Sequence, residues 1–120
     1  MLIHLYLHFA FVHTHTFGAH VREVARGVRD LLLRNPSVKV AIRGPHALIW
    51  DAAVYRKIHI LGDYYGEACL RIFRQEFRDL VDRVFYLNVW DMTIANQNND
   101  LHPGPIWEIT KLFLGHVCPA

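Results

Sequence analysis

VREVARGVRDLLLRNPSVKVAIRG, residues 21–44, decides how this chain folds. Val21, Val24, Val28, Leu31 and Leu32 recur at helical spacing, while Arg22, Arg26 and Arg29 fall on the opposite side. Asn35-Pro36 ends that helix, because proline lacks a donor and restricts the residue before it. VKVAIRG is then short and β-branched, which predicts a buried strand over 38–44. Upstream, LIHLYLHF at 2–9 is a continuous apolar and aromatic run, suited to a strand covered on both faces. Strand, amphipathic helix, strand is the order of a parallel crossover unit.

The same alternation continues downstream. Residues 46–63 are the least regular stretch, with room for a short helix around Trp50–Tyr55. GEACLRIFRQEFRDLVDR (66–83) places Leu70, Phe73, Phe77 and Leu80 on one helical face, with Glu67 and Arg71 as an i,i+4 pair. VFYLNVW (84–90) reads as a third buried strand. DMTIANQNNDLHPGP (91–105) reads as a polar loop, and Pro105 suits the first turn of a last helix carrying Ile106, Ile109 and Phe113. The order β-α-β-α-β-loop-α predicts an α/β fold with a short parallel sheet between helices. Function in such sheets gathers in the loops after the carboxyl ends of the strands, here 9–17, 44–63 and 90–104.

Composition narrows the classes. The chain has 120 residues, 52% of them hydrophobic, and a net charge of +2, far from the basic excess of a nucleic-acid binder. Its two cysteines, Cys69 and Cys118, form neither a CxxC pair nor a disulfide scaffold, and Cys69 between Ala68 and Leu70 reads as a buried free thiol. The apolar start lacks a basic leader and a small-x-small cleavage site, so it reads as a strand rather than a secretion signal, and it is too short to span a bilayer.

Nine histidines are the oddity, five of them in the first twenty residues. On a strand, His13 and His15 would share a face and suit a borderline metal, but no acid or cysteine accompanies them, which favours incidental histidines and no metal. Gly44-Pro45-His46 is a turn without a phosphate-cradling glycine pattern. In the last loop, Asp91, Asp100 and His102 offer a carboxylate close to an imidazole, the arrangement that makes His a general base. The plainer reading is a polar loop of Asx-turns with an exposed His102. Ser37, the single serine of the chain, follows Pro36 at a turn and is no nucleophile.

VFYLNVWDMTIANQNNDLHPGPIWEITKLFLGHVC (84–118) resembles the carboxyl end of the NXPE (neurexophilin and PC-esterase domain) family. Asn88-Val89-Trp90-Asp91-Met92-Thr93, His102-Pro103 and Cys118 carry the likeness, and His8-Phe9, the helix at 21–34 and the strand at 38–44 follow in the same order. The resemblance implies an SGNH-hydrolase-like αβα sandwich, of which residues 1–120 are a single partial domain, the carboxyl-terminal portion. It implies O-acetyl transfer or esterase chemistry on a glycan, sialic acid foremost, with His102 as base. Asp100 is first choice and Asp91 second as its orienting acid, since Asn99 stands where the wider superfamily has Asp, and His8 lies on the oxyanion side. No cofactor is implied beyond an acyl donor such as acetyl-CoA.

The family's Gly-Asp-Ser block has no counterpart among these residues, so the chain alone is expected to be inactive and poorly soluble, its partner being the remainder of the parent domain. The near-terminal Cys118 points, by the same resemblance, to the secretory pathway. The alternative expectation is a non-catalytic, neurexophilin-like secreted binding domain.

Overall fold

A computed structural model describes residues 1–9, 12–47, 63–98, 102 and 106–118. The helix expected around Trp50–Tyr55 falls outside the described residues. Three parallel strands, β1 (Leu2–Ile3), β2 (Val40–Arg43) and β3 (Val84–Leu87), form one sheet in the order β1-β2-β3. Leu2 pairs with Ala41, and Val40 through Arg43 pair with Val84 through Leu87 in sequence. Helix α1 (Thr14–Arg34) joins β1 to β2, and α2 (Asp63–Glu76) precedes β3. Beyond β3 come the short α3 (Trp90–Ala95) and α4 (Ile106–Val117).

Strand parity sorts the two helix layers. Val40, Ile42, Val84 and Tyr86 point to one face and join Phe17, Val21 and Val28 of α1 and Cys69 and Phe73 of α2 in the larger core. Ala41, Phe85 and Leu87 point to the other face, where they meet Val89, Met92 of α3, and Ile109, Leu112 and Phe113 of α4. The mixed α/β architecture expected from the residue pattern is present, with helices on both faces of a short parallel sheet.

Charges on the outer side of α1 reach across to α2 and the turn after it. Arg22 pairs with Glu76 at 3.0 Å. Arg29 grips Asp79 with Nε and Nη2 at 2.8 and 2.7 Å, and its Nη2 also donates to the Glu76 carbonyl. Arg26 bonds Glu23 on its own helix at 2.6 Å, in full solvent.

Three expectations need correction. The run 2–9 is a strand only at Leu2–Ile3; Leu7–Phe9 is a single 3-10 turn. Its apolar residues roof the larger core instead of pairing: Tyr6 is 2% exposed, and the Phe9 ring meets Phe17 edge-on with centroids 5.9 Å apart. Aliphatic and aromatic continuity marks burial, and burial under a helix pair looks the same in sequence as burial in a sheet.

The expected loop at 9–17 is helix from Thr14 onward. His13 caps it, its Nδ1 accepting the His15 amide at 3.1 Å, and Phe17 is wholly buried. His13 and His15 therefore do not share a strand face, and no described group of three or more His, Cys, Asp or Glu is arranged to hold a metal. Finally, the polar loop after β3 opens with helix α3. No described helix is long and apolar enough to cross a membrane.

Candidate functional site

The chain leaves each strand of the sheet at its carboxyl edge, and the segments that follow converge there. A cavity of about 300 Å³ is walled by His4, Tyr6 and His8 after β1, by Arg43 and His46 at and after β2, and by His102. Ile106, at the start of α4, closes one side. Two of the residues singled out in the sequence, His8 and His102, thus come from opposite ends of the chain to one cavity. Both are exposed. Asp100 lies outside the described residues. Asp91, in the first turn of α3, is exposed and accepts a hydrogen bond from Asn88 Nδ2 at 3.2 Å. Among the described residues no carboxylate pairs with His102.

Electrostatics at this edge is one-sided. No acid stands among the described residues that wall the cavity, while a guanidinium and four imidazoles do. Parity along β2 puts Arg43 on the side of Ala41, beneath the thinner helix layer. Its Nε and Nη2 are enclosed and meet no hydrogen-bond partner among the described residues, and burial holds its pKa below the ordinary value. The hydroxyl of Tyr6 is likewise buried and unpartnered, and its pKa is raised, chiefly by burial. Lost solvation and then the charge of Arg43 lower the pKa of His4, whose Nδ1 lies 3.3 Å from the Arg43 carbonyl. His4, Tyr6 and His46 form a ring cluster, with Tyr6 edge-on to His46 at 5.4 Å.

A polar clamp holds the cavity's rim. Thr93, completely buried in α3, accepts the Ala47 amide at 2.9 Å and can give its own proton to the Val89 or Trp90 carbonyl. Asn98 donates to the Ala47 carbonyl at 3.1 Å. Both backbone groups of one residue after β2 are therefore satisfied by side chains from the segment that leads to His102. Gln97 takes a left-handed φ of 49°, which turns the chain at the end of α3 and brings Asn98 back to Ala47. Trp90 lies against α2, so close to Gly66 that a Cβ there would stand 2.6 Å from the indole ring. These contacts give the Asn88–Thr93 segment a structural role: it ties β3, α2 and the β2 loop into one rim.

Arg43, Tyr6, Thr93 and Asn98 carry no signal in the sequence that marks them as site residues. Arg43 reads as the polar end of a strand, and only the approach of residues 4–8 from β1 encloses it. His46 reads in sequence as part of a turn. A Thr and an Asn five residues apart in a polar stretch carry no signal for a clamp on a residue some fifty positions upstream.

The cavity thus gathers four imidazoles around one half-buried guanidinium. Residues 1–118 match the family described as NXPE family member 4-like, C-terminal domain. No solved structure matches the chain. The match spans the sheet, both helix layers and the His102 cavity together, and on that extent the chain belongs to the NXPE family, as its C-terminal domain.

Proposed function

We propose that this chain is the base-bearing end of an acyl-transfer domain, acting on O-acetyl groups of a glycan, with an acidic sugar of the sialic acid class as acceptor. The observation that carries the reading is the meeting of His102 and His8 in one cavity at the carboxyl edge of a parallel sheet. His102 takes the proton of a serine hydroxyl as it attacks the acyl carbon, and returns it to the leaving group. Asp100, or Asp91 as second choice, orients the imidazole, and His8 stands on the oxyanion side. The serine belongs to a Gly-Asp-Ser block that the chain itself does not carry. Ser37, in the turn just after α1, is exposed and donates to Asn35 Oδ1 at 2.8 Å.

The absence of any serine from the cavity's described walls is the observation that favours a second reading, a secreted non-catalytic binding domain. One experiment separates them. In a natural product that joins this chain to a serine block, His102→Ala should lower acetyl transfer from acetyl-CoA, or hydrolysis of p-nitrophenyl acetate, by about 10²–10⁴-fold. The chain of 120 residues alone should turn over neither compound. Unchanged activity in His102→Ala removes the catalytic reading and leaves the binding domain.

A further inference from the structure

The chain contains two arginines that present the same edge to different surroundings. Arg29 offers Nε and Nη2 to the two carboxylate oxygens of Asp79, at 2.8 and 2.7 Å, near the surface. Arg43 offers the same pair of donors, and both are buried without a hydrogen-bond partner in the wall of the His102 cavity. A guanidinium stays charged at any physiological pH, and enclosed donors left without a partner are costly. No described carboxylate neutralises it, and the surrounding rings of His4, His8, His46 and His102 add no negative charge.

We propose that Arg43 is the carboxylate-binding subsite of the His102 cavity, and that the ligand it selects is an acidic sugar held through its carboxylate. The parallel Nε–H and Nη2–H donors match the two oxygens of a planar carboxylate, as the Arg29–Asp79 pair shows within this chain. A phosphate offers related geometry, so the donor's phosphates are the rival source of an anion. The inference rests on the acyl-transfer reading only for its choice of sugar; the charge selection stands on Arg43 itself. In the reaction, Arg43 would position the acceptor by a group remote from the transferred acetyl, fixing which hydroxyl faces His102.

The test is calorimetric titration of the full chain with the α-methyl glycoside of N-acetylneuraminic acid, with the methyl ester of that glycoside, and with coenzyme A. The acid should bind at least about tenfold more tightly than its ester, since the ester keeps the ring and loses the charge. Arg43→Gln should remove that preference, lowering affinity for the acid to that of the ester while leaving the ester unchanged. Arg43→Lys, which keeps the charge and loses the paired donors, should fall between, and it serves where Arg43→Gln does not fold by circular dichroism.

Equal binding of acid and ester, retention of the preference in a folded Arg43 variant, or no binding of the acid would each overturn the proposal. So would Arg43-dependent binding of coenzyme A alone, which would assign the subsite to the donor. His102→Ala keeps the two readings apart: it should stop transfer in the serine-bearing product and leave the acid–ester preference intact.

Discussion

The two faces of the sheet are built to different depths. On one, α1 and α2 enclose Phe17, Phe73 and Phe77, all essentially solvent-free, and Arg22 and Arg29 lace the helices together at the rim. On the other, α4 buries only Ile109 fully and leaves Ile106 and Trp107 about two-thirds exposed. The difference teaches where the molecule is filled and where it leaves space. Large aromatic side chains fill the deep face, whereas the cavity that holds Arg43 and His102 opens at the carboxyl edge, between the residues that roof the deep core and the start of α4.

The sharpest way to break this comparison is to truncate one anchor on each face. Phe73→Ala should cost about 3–5 kcal/mol, because the ring is completely buried and its neighbours cannot collapse into the space. Ile109→Ala should fall near the lower end of the aliphatic range, about 2 kcal/mol, since the thin layer can relax. Urea unfolding of the two variants measures both, and equal losses would show that the faces contribute alike.

The two thiols sharpen the contrast. Cys69 sits in the deep core, where burial raises its pKa from 9.0 to about 11 against an opposing hydrogen bond from Tyr65. Cys118 is exposed just after α4. At pH 8, 5,5′-dithiobis(2-nitrobenzoate) should modify Cys118 at once and Cys69 about a hundredfold more slowly, at the rate of local opening. Similar rates would mean that the deep face opens as readily as the shallow one.

The clamp between them can be tested with an isostere. Thr93→Val keeps the shape and leaves the Ala47 amide without an acceptor, which should cost about 1–3 kcal/mol and speed exchange of that amide proton. An unchanged exchange rate at Ala47 would show that the rim does not depend on Thr93.

The smallest effect belongs to the rim of the deep face. The Arg29 guanidinium beside Asp79 lowers the carboxyl from 3.8 to about 2. A carboxyl with a depressed folded pKa adds stability above its unfolded value and loses it as pH falls through the folded one. Acid titration should therefore show a slight fall in stability between pH 4 and 2 that Asp79→Asn removes. The pair is solvent-exposed, so a large fall would mean that other carboxylates carry it.

Much of the fold was legible because its helices are amphipathic and its strands are short and apolar. The stripe over 21–34 and the proline after it located the crossover, and Leu70 to Leu80 located the second helix. The family likeness at 84–118 was legible for a different reason: Trp90-Asp91-Met92-Thr93 and His102-Pro103 are unusual residue types in a fixed order. Residues 4–20 misled, because apolar continuity and a histidine cap do not reveal whether a segment pairs in a sheet, roofs a core or begins a helix.

What the sequence determined by itself is the kind of layers this chain forms and their order, since side-chain periodicity and proline placement act within a few residues of one another. The tertiary structure alone decided that Arg43 ends a strand beneath the thin layer, that the residues after β1 fold over it, and that Thr93 and Asn98 grip Ala47. Those relations join positions far apart in the chain, and their energies arise only when packing excludes water from both partners, so no local pattern of residues can announce them.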